Sequence, residues 1–412
     1  IGLLTMAIAR GKSFKVGERH IVTIEKVAHG GHFIARHEGQ VIFVRHAIPG
    51  ETVEVEITST GASFVRGDAR KIIEASPDRV ASPCAFSYPG GCGGCDFQHI
   101  TVSRQRELKA DVIREQFSRI AKREINVTVE EVGEALHWRT RLSSATDEAG
   151  KIGFYAARTH TVIPVDDCVI AVSSIHFPEL AMRKWPTRSR VEISASSDGS
   201  RSIAIAYATR GSKARMPDGG VLLHEQIAGH NLQISQQSFW QSHDLAPEVL
   251  SEAVCEFVRE GDHVLDLYGG VGLFTAALIN IVGPTGSIDL IESDTSATAD
   301  ARRNFADFPN VHIHGGEVAR VLTQIKRADV VVLDPPREGA GKEVIAKIVG
   351  IRPRAIAYVA CDPAALARDT VYLQENGFSL NQLRAFDLFP MTHHVECVAL
   401  FETSQKGENE VS

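Results

Sequence analysis

Cys361 ends the apolar run Ala355-Ile356-Ala357-Tyr358-Val359-Ala360 and is followed by Asp362-Pro363. The run reads as a buried strand, which places a thiol at a strand end. Two other strand ends carry chemistry: Asp266-Leu267-Tyr268-Gly269-Gly270-Val271-Gly272 and Asp334-Pro335-Pro336-Arg337. Downstream comes Thr392-His393-His394-Val395-Glu396. A thiol nucleophile, a glycine-rich loop and a late carboxylate together indicate covalent group transfer from a nucleotide-like cofactor. Taken alone, a cysteine closing an apolar run reads as a packing residue. The place of Cys361 before Pro363, with the other motifs around it, favours the nucleophile.

The glycine-rich loop follows a strand and precedes a helix, where a nucleotide can approach the backbone closely. The next strand ends in Glu292, about twenty residues on, where a carboxylate can bind ribose hydroxyls. Both dinucleotide enzymes and S-adenosylmethionine methyltransferases use this geometry. The dinucleotide fingerprint needs a third glycine where Thr275 stands, so the methyltransferase reading is favoured. In an open α/β sheet, ligands bind outside the carboxyl ends of the strands, which collects Asp266, Glu292, Asp334 and Cys361 on one rim. A plain turn explains Pro335-Pro336 but not the aspartate before it.

Of the seven cysteines, Cys84, Cys92 and Cys95 lie within twelve residues, and Cys168 stands far downstream. Glycines 90, 91, 93 and 94 surround them. Such glycines let backbone N–H groups approach sulfur. A disulfide is a weak reading in a cytosolic chain. Four thiolates suit tetrahedral zinc or an iron–sulfur cluster, and the three-plus-one spacing leans toward the cluster. Cys255 and Cys397 are assigned to packing.

These groups need elements to hold them. At 412 residues the chain should form two or three domains. A hydrophobic content of 43% and a charged content of 23% are those of a soluble globular protein. No apolar run reaches the ~20 residues of a membrane span. The first nine residues lack the basic start of a signal peptide, so a cytoplasmic location is expected. The net charge of −7 alone discourages nucleic-acid binding. The charge is uneven, however: Arg183, Lys184, Arg188, Arg190, Arg201, Arg210, Lys213 and Arg215 face only Glu192 and Asp198. That stretch is either a phosphate footprint or a solvated sheet edge.

Residues 13–73 show short alternating strands and Gly/Pro turns, the pattern of a small OB-like barrel. Residues 74–235 form a strand-rich α+β middle region with one amphipathic helix near Ser103–Lys122. From residue 236 to 405, helices alternate with buried strands, which predicts a doubly wound Rossmann-like α/β sheet. The barrel histidines His20, His29, His32, His37 and His46 are expected at the surface.

Four motifs in order carry a resemblance: Gln236-Gln237-Ser238-Phe239-Trp240-Gln241, Asp266 to Phe274, Asp334-Pro335-Pro336-Arg337, and Cys361-Asp362-Pro363 with Thr392-His393-His394-Val395-Glu396. With them, Ala28 to His32 and Phe43 to Glu51 resemble a TRAM domain, an RNA-binding barrel. Nearly the whole chain resembles the family of RNA uracil-C5 methyltransferases. The resemblance implies a class I S-adenosylmethionine methyltransferase domain, an RNA substrate (rRNA or tRNA) and a [4Fe-4S] cluster on Cys84, Cys92, Cys95 and Cys168. It implies cofactor contacts from Gln241, Tyr268, Glu292 and Asp334. It further implies Cys361 as nucleophile and Glu396 as base; the neighbouring His393 and His394 are alternative candidates for the base, or position it. Arg337 would hold the Asp334 turn or a phosphate.

Three features depart from the family's pattern. Gly269 stands where cysteine is common, Asp362 where asparagine is common, and the Cys84–Cys92 interval is long. A carboxylate beside the nucleophile would raise its pKa. Two other readings stand beside this one. An RNA cytosine-C5 methyltransferase is opposed by Asp334-Pro335-Pro336-Arg337, where that family has a Pro-Cys motif. A non-catalytic RNA-binding protein is opposed by the intact Cys361 and Glu396. A monomer without an obligate protein partner is expected.

Overall fold

The computed structural model describes residues 14–61, 64–207, 215–218 and 222–403. The first nine residues and the polar tail beyond Thr403 lie outside them. So do Arg210 and Lys213 of the basic stretch and the side chain of Arg215.

The N-terminal unit is a closed barrel in the order β1-β2-β3-β5-β4. Its strands are β1 (Arg19–Ala28), β2 (His32–His37), β3 (Gln40–Arg45), β4 (Thr52–Thr60) and β5 (Val65–Glu74). Alternating inward residues such as Val53, Val55 and Ile57 fill it. Of its histidines only His29 is exposed, and His20, His37 and His46 are half-buried. His32 is buried, contrary to expectation, and burial pushes it down to about 4. Its Nδ1 sits 2.7 Å from Gly30 O, inside the turn between β1 and β2.

The catalytic sheet has eight strands in the order β17-β16-β15-β18-β19-β21-β20-β6. They are β6 (Val129–Glu130), β15 (His263–Leu267), β16 (Ser287–Glu292), β17 (Val311–Gly315), β18 (Val330–Leu333), β19 (Ala355–Ala360), β20 (Phe378–Phe386) and β21 (Glu396–Thr403). The five from β17 to β19 are parallel. All of β18 and β19 is buried, as a sheet covered on both faces requires. One face carries α3 (Ala246–Cys255) and α4 (Leu273–Val282) with the hairpin β13 (Leu222–Ile227) and β14 (His230–Ser235). The other carries α6 (Val318–Val321), α7 (Gly341–Ile351), α8 (Pro363–Glu375) and α1 (Val102–Gln116). The helix α5 (Thr295–Asn304) follows β16.

The amphipathic helix expected near Ser103–Lys122 is α1, extended by a π-helical turn at Phe117–Ala121. Spacing placed it in the middle region. Its apolar face instead joins the catalytic core through Ile113 and Phe117, and β6 pairs with β20. The hairpin β13–β14 likewise packs into that core through Leu223, Leu232 and Ile234. The middle region itself is a six-stranded sheet. It comprises β7 (Arg141–Thr146), β8 (Ile152–Tyr155), β9 (Val162–Pro164), β10 (Ser189–Ala195), β11 (Arg201–Tyr207) and β12 (Arg215–Asp218), with α2 (Phe177–Met182) against it. The basic stretch runs along this sheet. Arg183 pairs with Glu179 (2.5 Å), Arg188 with Glu148 (2.7 Å) and Arg190 with Glu192. Cations already paired in this way favour the sheet-edge reading. Among the described residues, no helix is long and apolar enough to cross a membrane.

Candidate active site

The carboxyl ends of the parallel strands gather the predicted groups. After β15 the chain turns sharply: Tyr268 has φ +61°, and Gly272 caps α4 with φ +99°. A Cβ at Gly272 would lie 2.2 Å from the Phe305 ring, so glycine is required there. For Tyr268 the left-handed conformation costs about 1–2 kcal/mol, and its half-buried ring packs against the core beside α7 and α8. Asp266 is fully buried, and its Oδ2 accepts from Thr275 N (3.1 Å) and Oγ1 (2.7 Å). Thr275, noted only as a missing glycine, is thus the residue that holds Asp266. Burial pushes Asp266 up to about 6, and its Oδ1 is buried without a partner.

Glu292 accepts from Gly270 N at 3.0 Å and from Asp294 N at 2.6 Å, which ties the ends of β15 and β16 together. Oε1 also accepts from Ser293 Oγ at 3.3 Å, whereas Oε2 has one donor and keeps a lone pair for a further hydroxyl. Gln241 Nε2 donates to Asp334 Oδ2 at 3.4 Å across the rim. Upstream of Gln241, Ser238 Oγ donates to the buried Asp300 at 2.6 Å and anchors its segment. Within that segment Trp240 is core, whereas Phe239 stays 66% exposed beside Gln241.

Cys361 and Glu396 come together through strand register. The antiparallel β21 lies between β19 and β20, with Ala360 opposite Cys397. One residue beyond this last pair, the same register brings Cys361 near Glu396, close enough for that carboxylate to act on the thiol. Glu396 is 4% exposed, and Cys361 is half-buried. Burial pushes the thiol up to about 12, with the Glu396 and Asp334 carboxylates adding to it and Arg337 opposing. Burial, then Asp334, raises Glu396 well above the carboxylate range, again against Arg337. Asp334 is raised by burial and then by Asp266.

Asp362, the departure beside the nucleophile, serves another purpose. Its Oδ1 caps α8 by accepting from Ala364 N and Ala365 N (both 2.9 Å), and Oδ2 meets His29 Nε2 at 3.0 Å. Such a cap is worth about 1 kcal/mol. Its charge is the weakest of the carboxylate influences on the thiol.

A cavity of about 200 Å³ lies between barrel and catalytic domain. Its wall includes Cys361, Arg337, His393, His394 and the β1–β2 turn residues His29 and Gly31. Lys109 also lines it but is tied to Asp387 (2.5 Å) and Phe389 O (3.0 Å). Burial pushes His394 down to about 3.

Cys84, Cys92, Cys95 and Cys168 line one separate cavity of about 250 Å³, with Gly93, Gly94 and Arg139. Burial raises Cys92 and Cys95 and pushes Cys168 up to about 12. Among the described residues, no group of three or more His, Cys, Asp or Glu side chains is arranged to hold a metal ion. Cys397 is buried in the catalytic core, and Cys255 packs against it half-buried. Sequence reasoning missed Thr275, Asp300, Lys109 and the His29–Asp362 pair. Of these only Thr275, one turn into the helix after the loop, had a local signal.

A parallel sheet with this switch-point rim, joined to a small closed barrel, defines a class I methyltransferase with a nucleic-acid-binding appendage. Residues 13–69 match the TRAM domain, and residues 317–404 match the tRNA (Uracil-5-)-methyltransferase family. An RNA methyltransferase of Streptomyces avermitilis is 42% identical over 95% of this chain and its own full length. The 23S rRNA (uracil(1939)-C(5))-methyltransferase RlmD of Shewanella amazonensis is 30% identical over 94% of this chain and 96% of that protein. The Pyrococcus abyssi tRNA (uracil-54, C5)-methyltransferase, solved with S-adenosyl-L-homocysteine, shares the fold. Its TM-score is 0.72 at 22% identity, covering 93% of this chain and 99% of that one. The chain belongs to the RNA uracil-C5 methyltransferases and is a methyltransferase of that class that uses S-adenosylmethionine.

Proposed function

We propose that this enzyme forms 5-methyluridine in ribosomal RNA through a covalent bond from Cys361 to uracil carbon 6. The observation that carries the mechanism is the register that brings Glu396 near Cys361, whose thiol lines the barrel–catalytic cavity. Support for rRNA comes from a relative, 30% identical over 94% of this chain, that acts on 23S rRNA. Such a role goes with a cytoplasmic location.

Carbon 5 of uracil is a poor nucleophile. Attack of the Cys361 thiolate on carbon 6 moves the C5=C6 electrons onto the carbonyl as an enolate, which makes carbon 5 nucleophilic. S-adenosylmethionine supplies the electrophilic methyl group. Glu396 then takes the carbon 5 proton, the C5=C6 bond re-forms and the thiolate leaves. A carboxylate in an apolar site is a stronger base than in water, which suits this proton. Tyr268, Glu292, Asp334 and Gln241 would hold the cofactor. The partnerless Asp266 Oδ1 and the open space beside Gly270, where a Cβ would meet nothing within 4 Å, suit such a ligand. The base must leave its stack to reach the cavity, and exposed Phe239 offers a surface on which it can stack.

The thiol cavity suits a [4Fe-4S] cluster better than zinc. A cubane takes its four cysteines at separate corners, which the four thiols and glycine backbone around one cavity suit, and the three-plus-one spacing favours it over zinc. Its role here is structural, because methyl transfer is not a redox step. Anaerobically purified protein should contain about four irons per chain, and Cys92→Ser should lose them. Full iron retention in Cys92→Ser would remove that residue from the ligand set.

The function is tested by incubating the enzyme with S-adenosylmethionine and cellular RNA containing 5-fluorouridine. Fluorine at carbon 5 cannot be removed as a proton, so the adduct accumulates and its RNA can be sequenced. Recovery of 23S rRNA fragments is expected. Recovery of tRNA alone would redirect the substrate assignment, and the absence of any adduct would overturn the covalent mechanism.

A further inference from the structure

Asp96 follows Cys95 and stands where three parts of the molecule meet. Its backbone N–H and that of Phe97 both donate to Met391 O, at 3.1 and 3.0 Å. Its Oδ2 lies 2.6 Å from His393 Nδ1, and its Oδ1 accepts from Arg45 of the barrel at 3.2 Å. The side chain is 17% exposed. Opposite it, a Cβ at Gly31 would lie 2.7 Å from His393 Nδ1, so the barrel turn closes directly on that ring. The His393 ring packs on His394 with centroids 4.0 Å apart, and both line the cavity with Cys361. The loop they occupy has no ladder partners, turns through Met391 at φ +67° and runs straight into Glu396. Met391 N donates to Gln105 Oε1 at 2.8 Å, and Met391 packs in one small cluster with Cys95.

We propose that Asp96 is a positioning residue for methyl transfer. It clamps the His393–His394 loop against the barrel turn, sets the shape of the cavity beside Cys361, and links the thiol-bearing segment to the reacting centre. The proposal rests on the reading that Cys361 and Glu396 react at this cavity. A loop without ladder bonds takes its position from such contacts, and a shift of about 1 Å at a reacting geometry costs on the order of 10²-fold in rate.

The test compares wild type, Asp96→Ala, Asp96→Asn, His393→Ala and the Asp96→Ala/His393→Ala double variant as full-length, iron-loaded protein. The RNA is the one trapped by the wild-type enzyme, in its unfluorinated form. Iron content, RNA affinity, thermal unfolding and single-turnover methyl transfer are measured for each. Asp96→Ala should lose about 10- to 100-fold in methyl-transfer rate, with iron and RNA affinity unchanged. Asp96→Asn keeps its oxygen for Arg45 and can donate its amide N–H to Nδ1 of a neutral His393, so it should recover most of the rate. The double variant should be no slower than Asp96→Ala, because the Asp96–His393 contact is already lost in that single variant. An undiminished rate in Asp96→Ala overturns the clamp, as does a loss that follows iron or RNA affinity, or an asparagine no better than alanine. A wild-type enzyme that methylates no uridine overturns the underlying mechanism and the clamp with it.

Discussion

Replacing Cys361 by alanine should abolish both methyl transfer and the 5-fluorouridine adduct, a loss of about 10⁴-fold or more in turnover. RNA binding should survive, because the removed group is one small side chain in the cavity wall. The free thiol is a reluctant nucleophile: burial and the Glu396 and Asp334 carboxylates push it up to about 12. Alkylation of Cys361 should therefore be slow at neutral pH and keep accelerating above pH 9. The sign is that of a group whose charged form is disfavoured, so raising pH populates the reactive thiolate. Methyl transfer should likewise climb toward alkaline pH. A free enzyme whose Cys361 alkylates fully at pH 6 would contradict this electrostatic picture.

Changing Glu396 to glutamine should separate two steps. The amide keeps the shape but cannot take the carbon 5 proton, so turnover should fall by about 10²- to 10⁴-fold. The methylated RNA should then remain bonded to Cys361, giving a denaturation-resistant adduct with ordinary uridine RNA. The same substitution removes the largest carboxylate influence on the thiol. The midpoint for Cys361 alkylation should therefore move to lower pH even as turnover collapses. Normal turnover in the glutamine variant would exclude Glu396 as the base and promote His393 or His394. Burial pushes His394 down to about 3, which favours a neutral ring able to accept a proton, and both rings line the cavity with Cys361.

Much of this molecule is written locally in the chain. Alternation in β4, continuous apolar runs in β18 and β19, and the glycine turn after Asp266 each depend on residues a few positions apart. They therefore announce barrel, parallel sheet and cofactor loop directly. The strand ends carrying Asp266, Glu292, Asp334 and Cys361 follow from the same patterns, because a parallel sheet puts all such ends on one rim. Pairings between distant segments carry no such local mark. Glu396 meets Cys361 only because β21 enters antiparallel between β19 and β20. The amphipathic period of α1 showed that it buries a face but not against which sheet, and packing assigned it to the catalytic core. Asp362 looked like an obstacle to the nucleophile, until the fold brought a helix N-terminus and His29 to its two oxygens. Residue types and short-range spacing determined the elements and the chemistry. Only the tertiary structure decided the partners, because register, domain docking and desolvation are properties of the assembled core.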